Sequence, residues 1–371
     1  MTTINPYSST YAPGLTAGQT ATQRANQATG YGAPRDQSPT INTPAVNVTL
    51  SAAAQAALKA QTDSRTIETV VSEAKAQITA RLKAAGTKDA LKGGDATIDL
   101  TGLDRRTLYA VASNKGGGFP MEQQVVASLA LKSQSDQALA TPAAQARLTG
   151  DYASLYQTAL DRLDAAGPEE KDSAAWSQQR EALVEGRKQA IARPGLAPAG
   201  IAHDTVAAYM AETGSAVAGA KTRDFGKVAT DVRAALDKQY ELAVSPGMAT
   251  SSESGEIDFR RFDARSLSAI ALNKDEQFSA HEIAQAKTEI RTRDSAAIKA
   301  GYQSSSEDGS AGFGMAMITR YAGMTTEERD AAGWTPALYA KMVDLQADSD
   351  KLAQVFNLGA AVAGPSMLDF L

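Results

Sequence analysis

Between residues 64 and 85 the apolar positions Ile67, Val70, Ala74, Ile78 and Leu82 recur every three or four residues. That is the period of a helix burying one face. Phe225, Val228, Val232, Leu236 and Tyr240 repeat the pattern and predict a second such helix over residues 224–242. Gly86 and the Ser245-Pro246-Gly247 turn are residue types that stop helices. A polar loop rich in Gly or Ser then leads to a short extended piece, Thr97–Leu100 or Glu256–Phe259. Asp104 and Asp263 stand where an N-cap belongs, ahead of an apolar-periodic run. The helices they open end at Asn114 and Asn273, a residue type that tolerates a left-handed exit. Beyond Phe119 and Phe278 a further helix runs toward Ala138 or Ala297.

These parallels extend to residue identity. The stretch IDLTGLDRRTLYAVASNKGGGFPMEQ, from Ile98 to Gln123, aligns with IDFRRFDARSLSAIALNKDEQFSAHE, from Ile257 to Glu282. Asp99 matches Asp258, Asp104 matches Asp263 and Arg106 matches Arg265. Asn114-Lys115 and Phe119 match Asn273-Lys274 and Phe278. Downstream, Glu169-Glu170-Lys171-Asp172 aligns with Glu327-Glu328-Arg329-Asp330, and the only two tryptophans, Trp176 and Trp334, fall in equivalent places. A self-alignment of this kind is the mark of an internal repeat. Good helix starts follow the tryptophans, Ser177 in one copy and Thr335-Pro336 in the other.

The expected fold is therefore all-α: two tandem homologous helical-bundle modules, of about four or five helices each, a normal domain size, behind a disordered N-terminal tail. The boundaries read as a tail over 1–45, module 1 over 46–192 and a linker with a helix over 193–223. Module 2 covers 224–357, and a C-terminal tail covers 358–371. The linker opens with Arg193-Pro194-Gly195 and carries a helix at 204–219, for which Leu50–Ala60 stands in the matching place before the first copy.

Composition narrows the function. The net charge of −5 gives no electrostatic case for nucleic acid. No run approaches the roughly 18 apolar residues of a membrane span. Met1–Ala12 shows no basic and apolar start of a cleavable signal. The absence of cysteine removes disulfides, thiolate catalysis and cysteine zinc sites. His203 and His281 are the only histidines. His281 lacks the second histidine of an HExxH helix, and His203 precedes Asp204 at a predicted helix start. The acid pairs Asp99/Asp104 and Asp258/Asp263 have no neighbouring electrophile, and Gly116–Gly118 lacks the ending of a phosphate loop. The expectation is a protein that is not an enzyme and needs no cofactor.

Two resemblances add function classes. The hairpin NKDEQFSAHE is similar to the back half of an EF-hand loop. The resemblance implies Asn273, Asp275, Ser279 and Glu282 as calcium ligands, with Ala271 in place of the first acid and Glu276 in place of the turn glycine. The alternative to a ligand loop is a helix–turn–helix corner plugged by Phe119 and Phe278. The tail of residues 1–45, rich in Ser, Thr, Ala and Gln, resembles the uncleaved leaders of proteins exported by type III-like systems, including flagellar ones. That resemblance implies export without a cleaved signal; the alternative is a solvated linker or tail on a cytoplasmic protein. Trp176 and Trp334 read as wedges closing each module's core. The terminal Ser366–Leu371, with four apolar residues, either docks on the second module or offers a linear motif. The chain thus reads as a helical scaffold, adaptor or structural protein whose partners are other proteins. The alternative is a calcium-responsive binding module.

Overall fold

The structure is a computed structural model that describes residues 64–214, 216, 223–244, 257–307 and 312–362. The expected tail over 1–45, the helix at 50–60, the Ser245-Pro246-Gly247 stop and the terminal Ser366–Leu371 lie outside the described residues. Within them the chain is mostly helical, with one two-stranded hairpin. In order come α1 (Ile67–Ala84), β1 (Leu91–Lys92), β2 (Asp95–Ala96), α2 (Arg105–Ala112), α3 (Met121–Thr149), α4 (Tyr152–Asp164), α5 (Pro168–Lys171), α6 (Ala174–Ala192) and α7 (Thr205–Thr213). Then follow α8 (Phe225–Val244), a 3₁₀ turn (Phe259–Arg261), α9 (Ala264–Leu272), α10 (Ala280–Glu307), α11 (Gly312–Gly323), α12 (Thr326–Ala332) and α13 (Pro336–Val362).

Side-chain caps set most of the helix starts. The Thr66 hydroxyl accepts from the Thr69 N–H at α1, Asp151 from Ser154 at α4, and Asp204 from Val206 and Ala207 at α7. Each satisfies a backbone donor that has no partner inside its helix. Three expectations change here. The extended piece expected at Thr97–Leu100 opens with a bend at Thr97-Ile98, and the strand pairing lies just before it, where Lys92 faces Asp95 across Gly93-Gly94. Both glycines have positive φ, which a two-residue hairpin turn requires, and two-residue strands are too short to show alternation in sequence. The second change is α6, which begins at Ala174 rather than at Ser177. The Ser173 hydroxyl accepts from the Trp176 N–H, so Trp176 lies inside the helix, whereas Trp334 precedes α13. The third is α3, which runs past Ala138 and through Pro142 to the left-handed Gly150. Pro142 removes only one helical donor, and Leu139, Ala143 and Ala146 stay buried on either side.

Three apolar cores hold these helices. One is local: Leu139, Ala143, Leu155, Tyr156, Leu160, Leu183 and Val206 join the end of α3 to α4, α6 and α7. Another is local too: Val228, Val232, Leu236, Phe262, Leu267, Ile270 and Phe278 join α8, α9 and the start of α10. The largest is not. It gathers Val70, Ile78, Leu100, Leu108, Phe119 and Val125 from α1, the hairpin region, α2 and the start of α3, together with Met317, Ile318, Tyr321, Trp334 and Met342. Helix α11 accordingly packs on α3 as well as on its neighbours α10 and α13. Trp334 therefore closes a core built chiefly from the first stretch, not one confined to the second.

The seam between the two stretches centres on Arg329. Its Nε donates to the Tyr321 carbonyl at 2.9 Å and its Nη2 to the Gly94 carbonyl at 3.2 Å. The same Nη2 lies 2.9 Å from Asp95, and the guanidinium stacks 4.3 Å from the Tyr321 ring centroid. A side chain at Gly94 would collide with the Tyr321 ring, while one at Gly93 would meet nothing. Gly93→Ala should therefore cost only the left-handed strain, about 1 kcal/mol. Gly94→Ala adds an overpacking term and should cost about 2–4 kcal/mol in all. Urea unfolding of the two variants checks that order; equal losses would contradict the seam.

Candidate functional site

The corner between α9 and α10, and its aligned counterpart between α2 and α3, carry the residues singled out in the sequence. Asn114 and Asn273 leave their helices in the left-handed conformation. Each Oδ1 then accepts the N–H of the phenylalanine five residues on, at 3.0 Å for Phe119 and 2.9 Å for Phe278. The amide thus spans the loop and drives the ring into the core, where both phenylalanines are buried. A cation from α1 or α8 covers each ring: Lys75 lies 5.3 Å from the Phe119 centroid and Arg233 5.6 Å from that of Phe278. Both also donate to a loop carbonyl, Lys75 to Gly117 and Arg233 to Gln277. Ring and carbonyl together fix the cation over the apolar plug.

The corners part company in their charge. Glu282 is buried and accepts from the Ser279 N–H at 2.7 Å, the Ser279 hydroxyl at 2.9 Å and Arg233 at 2.8 Å. Burial alone would raise its pKa, but these donors outweigh it and hold the carboxyl below its ordinary value. Arg233 also pairs with Asp237. At the aligned position the first corner has Gln123, and its loop consists of Gly116, Gly117 and Gly118, all at positive φ. One corner is a closed ionic knot and the other an open glycine loop.

This arrangement bears on the four residues of the EF-hand resemblance. The Asn273 amide is bound to both polar groups of the Phe278 backbone. Ser279 and Glu282 bind each other, and Asp275 is exposed. Among the described residues no group of three or more His, Cys, Asp or Glu side chains is placed to hold a metal. His203 and His281 are both exposed, and His203 has positive φ.

The acid pairs are absorbed by local turns. Asp99 accepts from the N–H and hydroxyl of Thr101, and Asp258 from the Arg260 N–H. Asp104 and Asp263 cap α2 and α9 through the N–H groups of Thr107 and Ser266. Their environments differ. At Asp104 burial pushes the pKa up, but the Thr107 N–H and hydroxyl and the nearby Arg65 win and lower it. At Asp263 burial prevails and the pKa is raised. The arginines facing it are turned elsewhere, Arg293 toward Glu289 and the Arg260 carbonyl, Arg265 toward Glu327.

Several ion pairs escaped the sequence reading although their residues were aligned. Arg106 binds Glu169 through two contacts, at 2.5 and 2.9 Å, and Arg265 approaches Glu327 at 3.6 Å. Arg65 pairs with Glu73, and eight residues apart again Arg223 pairs with Asp231. The signal was an opposite-charge couple present at both aligned places. Arg105–Glu170, by contrast, has no aligned cation in the second stretch, where Ala264 stands. Trp176 donates its indole N–H to the Leu163 carbonyl at 3.0 Å and sits half-buried beside Arg180. Trp334 is buried against Tyr321 and Arg320.

These geometries give opposite signs for two similar substitutions. Asn caps a helix about as well as Asp, so Asp→Asn isolates the charge. Because the folded pKa of Asp104 is lowered, its stabilisation is present above the unfolded value of about 3.9 and fades as pH falls through the folded one. The Asp104 side chain is 41% exposed, so solvent screens part of this charge, and Asp104→Asn should cost no more than about 0.5–1 kcal/mol at pH 7. The raised pKa of Asp263 means its contribution is complete below the unfolded value and is lost as pH rises through the folded one. Asp263→Asn should therefore be neutral or stabilising at pH 7. Thermal unfolding of both variants at pH 7 measures the contrast. Glu282→Gln should lower stability by about 1–3 kcal/mol at pH 7, because it removes the buried charge that accepts from Arg233 and Ser279, and by less as pH falls through the depressed pKa of Glu282. A loss independent of pH would rule that account out.

No protein family, curated protein or solved structure matches this chain.

Proposed function

We propose that the chain is a tandem duplication of one helical module, welded into one body, that works through protein–protein contacts as a scaffold, adaptor or structural component and catalyses no reaction. The observation that carries this reading is the recurrence of one contact set at aligned positions. An aspartate cap, an asparagine bridge to a buried phenylalanine, a cation over that ring and two arginine–acid pairs each occur twice. Residues shared by the two stretches are spent on holding helices together. The polar groups that could be imagined in catalysis serve as caps, clamps and turn ligands. Reaction chemistry needs convergent polar groups around a space for substrate.

On this reading the modules span 46–192 and 224–357, and the tail of residues 1–45 serves as a leader or tether. Its composition supports export by a signal-less, type III-like route, as for bacterial export or flagellar proteins. Purification of the full chain from its native source under mild conditions should return at least one other protein at fixed stoichiometry. A chain that is monomeric and unaccompanied at its native concentration would count against the scaffold reading. Titration calorimetry with Ca²⁺ separates the alternative: no heat is expected at millimolar Ca²⁺, and heat abolished by Glu282→Gln would favour a calcium-responsive module.

A further inference from the structure

The joint between the two stretches has two unlike faces. One comes from α11, the turn at Arg329 and α13, and presents Tyr321, Tyr339, Met342 and Val343. The other comes from the hairpin and α3 and presents Gly94, Val125, Val126 and Leu129. Tyr321 and Tyr339 lie over Gly94, and Gly323 approaches Leu129. A contact between two different faces is heterologous, so nothing in its geometry alone prevents a further unit from adding in the same way. Arrays of repeats end where a unit turns a polar face outward.

If the chain is a duplication, each face has a second version. In the register that aligns Trp176 with Trp334, Glu181 stands for Tyr339, Glu185 for Val343 and Lys171 for Arg329. Val184, which stands for Met342, is 45% exposed where Met342 is 6% exposed. Leu163, which stands for Tyr321, is buried in the core of its own stretch. The other face has changed in the same sense. In the register that aligns Ile98 with Ile257, Glu253 stands for Gly94, and Ala284, Gln285 and Thr288 stand for Val125, Val126 and Leu129. Glu253 lies outside the described residues, and the other three are exposed or half-exposed. A second copy docked in the joint's geometry would set Glu181 against Glu253, two acids where a tyrosine covers a glycine. Like charges brought together oppose association. Lys171 would bring a point charge where the planar fork of Arg329 serves two carbonyls. Inside each stretch the pattern is the reverse: the caps Asp104 and Asp263, the asparagine bridges and the buried phenylalanines are all kept. What occurs twice holds a module together, and what occurs once makes the joint.

We infer that the joint is used once: polar residues at the two remaining faces close the array at two modules, and no second copy of the chain adds through it. The inference rests on the duplication and deepens the contact-scaffold reading. The chain is a closed two-module unit, not the subunit of a filament that extends by this joint. A partner protein therefore binds by other means than a repeat of the joint between the modules.

The test restores the apolar faces in the full chain and reads association by analytical ultracentrifugation. The purified wild-type chain, alone, should sediment as a monomer from micromolar to millimolar concentration. One variant carries Lys171→Arg, Glu181→Tyr and Glu185→Val, and the other Glu253→Gly, Gln285→Val and Thr288→Leu. Mixed, the two should associate at least tenfold more tightly than wild type, and than either variant does with itself. A chain carrying all six changes should form oligomers whose length grows with concentration. With p-benzoylphenylalanine in place of Glu181 in the first variant, cross-links should map to residues 250–255 of the second. Unfolding temperatures check that each variant folds; if a triple variant does not, Glu181→Tyr mixed with Thr288→Leu should still associate severalfold more tightly than wild type. Wild-type oligomers that Glu181→Arg or Thr288→Arg dissolves would overturn the closure while leaving the duplication standing. So would a restored pair that binds no better than wild type. Tight association with cross-links elsewhere would overturn the closure together with the equivalence of the faces, and so the duplication itself. The scaffold reading turns on co-purification with another protein and is untouched by any of these failures.

Discussion

A buried guanidinium must find its hydrogen-bond partners inside the protein, and Arg329 finds them 235 residues away in sequence. Unpaired, such a charge would cost several kcal/mol. Two carbonyls, Gly94 and Tyr321, supply acceptors, and the Tyr321 ring supplies a face. Asp95 lies within reach too, but it is three-quarters exposed, so solvent screens its share and the carbonyls carry the seam. The demand then spreads outward. Gly94 must lack a side chain for Tyr321 to lie where it does, and Tyr321 must lie there for Tyr339 and Trp334 to stack beside it. The position aligned with Arg329 is Lys171, which is exposed. One lysine–arginine difference thus separates a solvated turn from the centre of the molecule.

The same asymmetry appears along the long helices. Val125, Val126 and Leu129 on α3 face the core that α11 completes, whereas the aligned Ala284, Gln285 and Thr288 on α10 are exposed or half-exposed. Conversely Met342 is buried where the aligned Val184 is not. An apolar face exists on α3 because α11 covers it, and α10 carries polar residues there because nothing in the described structure does. The burial in the largest core is thereby shared between stretches that the sequence alone presents as separate.

What could be read in the sequence was local. Helix faces at Val70–Ile78 and Val228–Leu236, the cap positions of Asp104 and Asp263, the exits at Asn114 and Asn273 and the buried Phe119 and Phe278 each have a signal within a few residues. The start of α6 was misread because Ser173 and Ser177 are equally good caps on composition, and only tertiary packing of Trp176 on Leu163 chooses between them. The hairpin at Lys92–Asp95 was hidden by its brevity. The Arg106–Glu169 and Arg65–Glu73 pairs were legible in principle, because the aligned stretch holds a cation and an acid at both matching positions. Arg329 was not. Its partners are backbone carbonyls, which carry no residue identity, and its aligned lysine does something else.

The largest core also sets an order in time. Chain leaves a ribosome at roughly 5–20 residues per second, and Met317–Met342 follow Val70–Ala130 by a stretch of about 190–270 residues. The first helices to emerge therefore wait on the order of 10–55 s before the residues that seal them exist. The two local cores can close meanwhile. A nascent or detained chain would hold Val125, Leu129 and the hairpin uncovered throughout, which is a state a chaperone can grip.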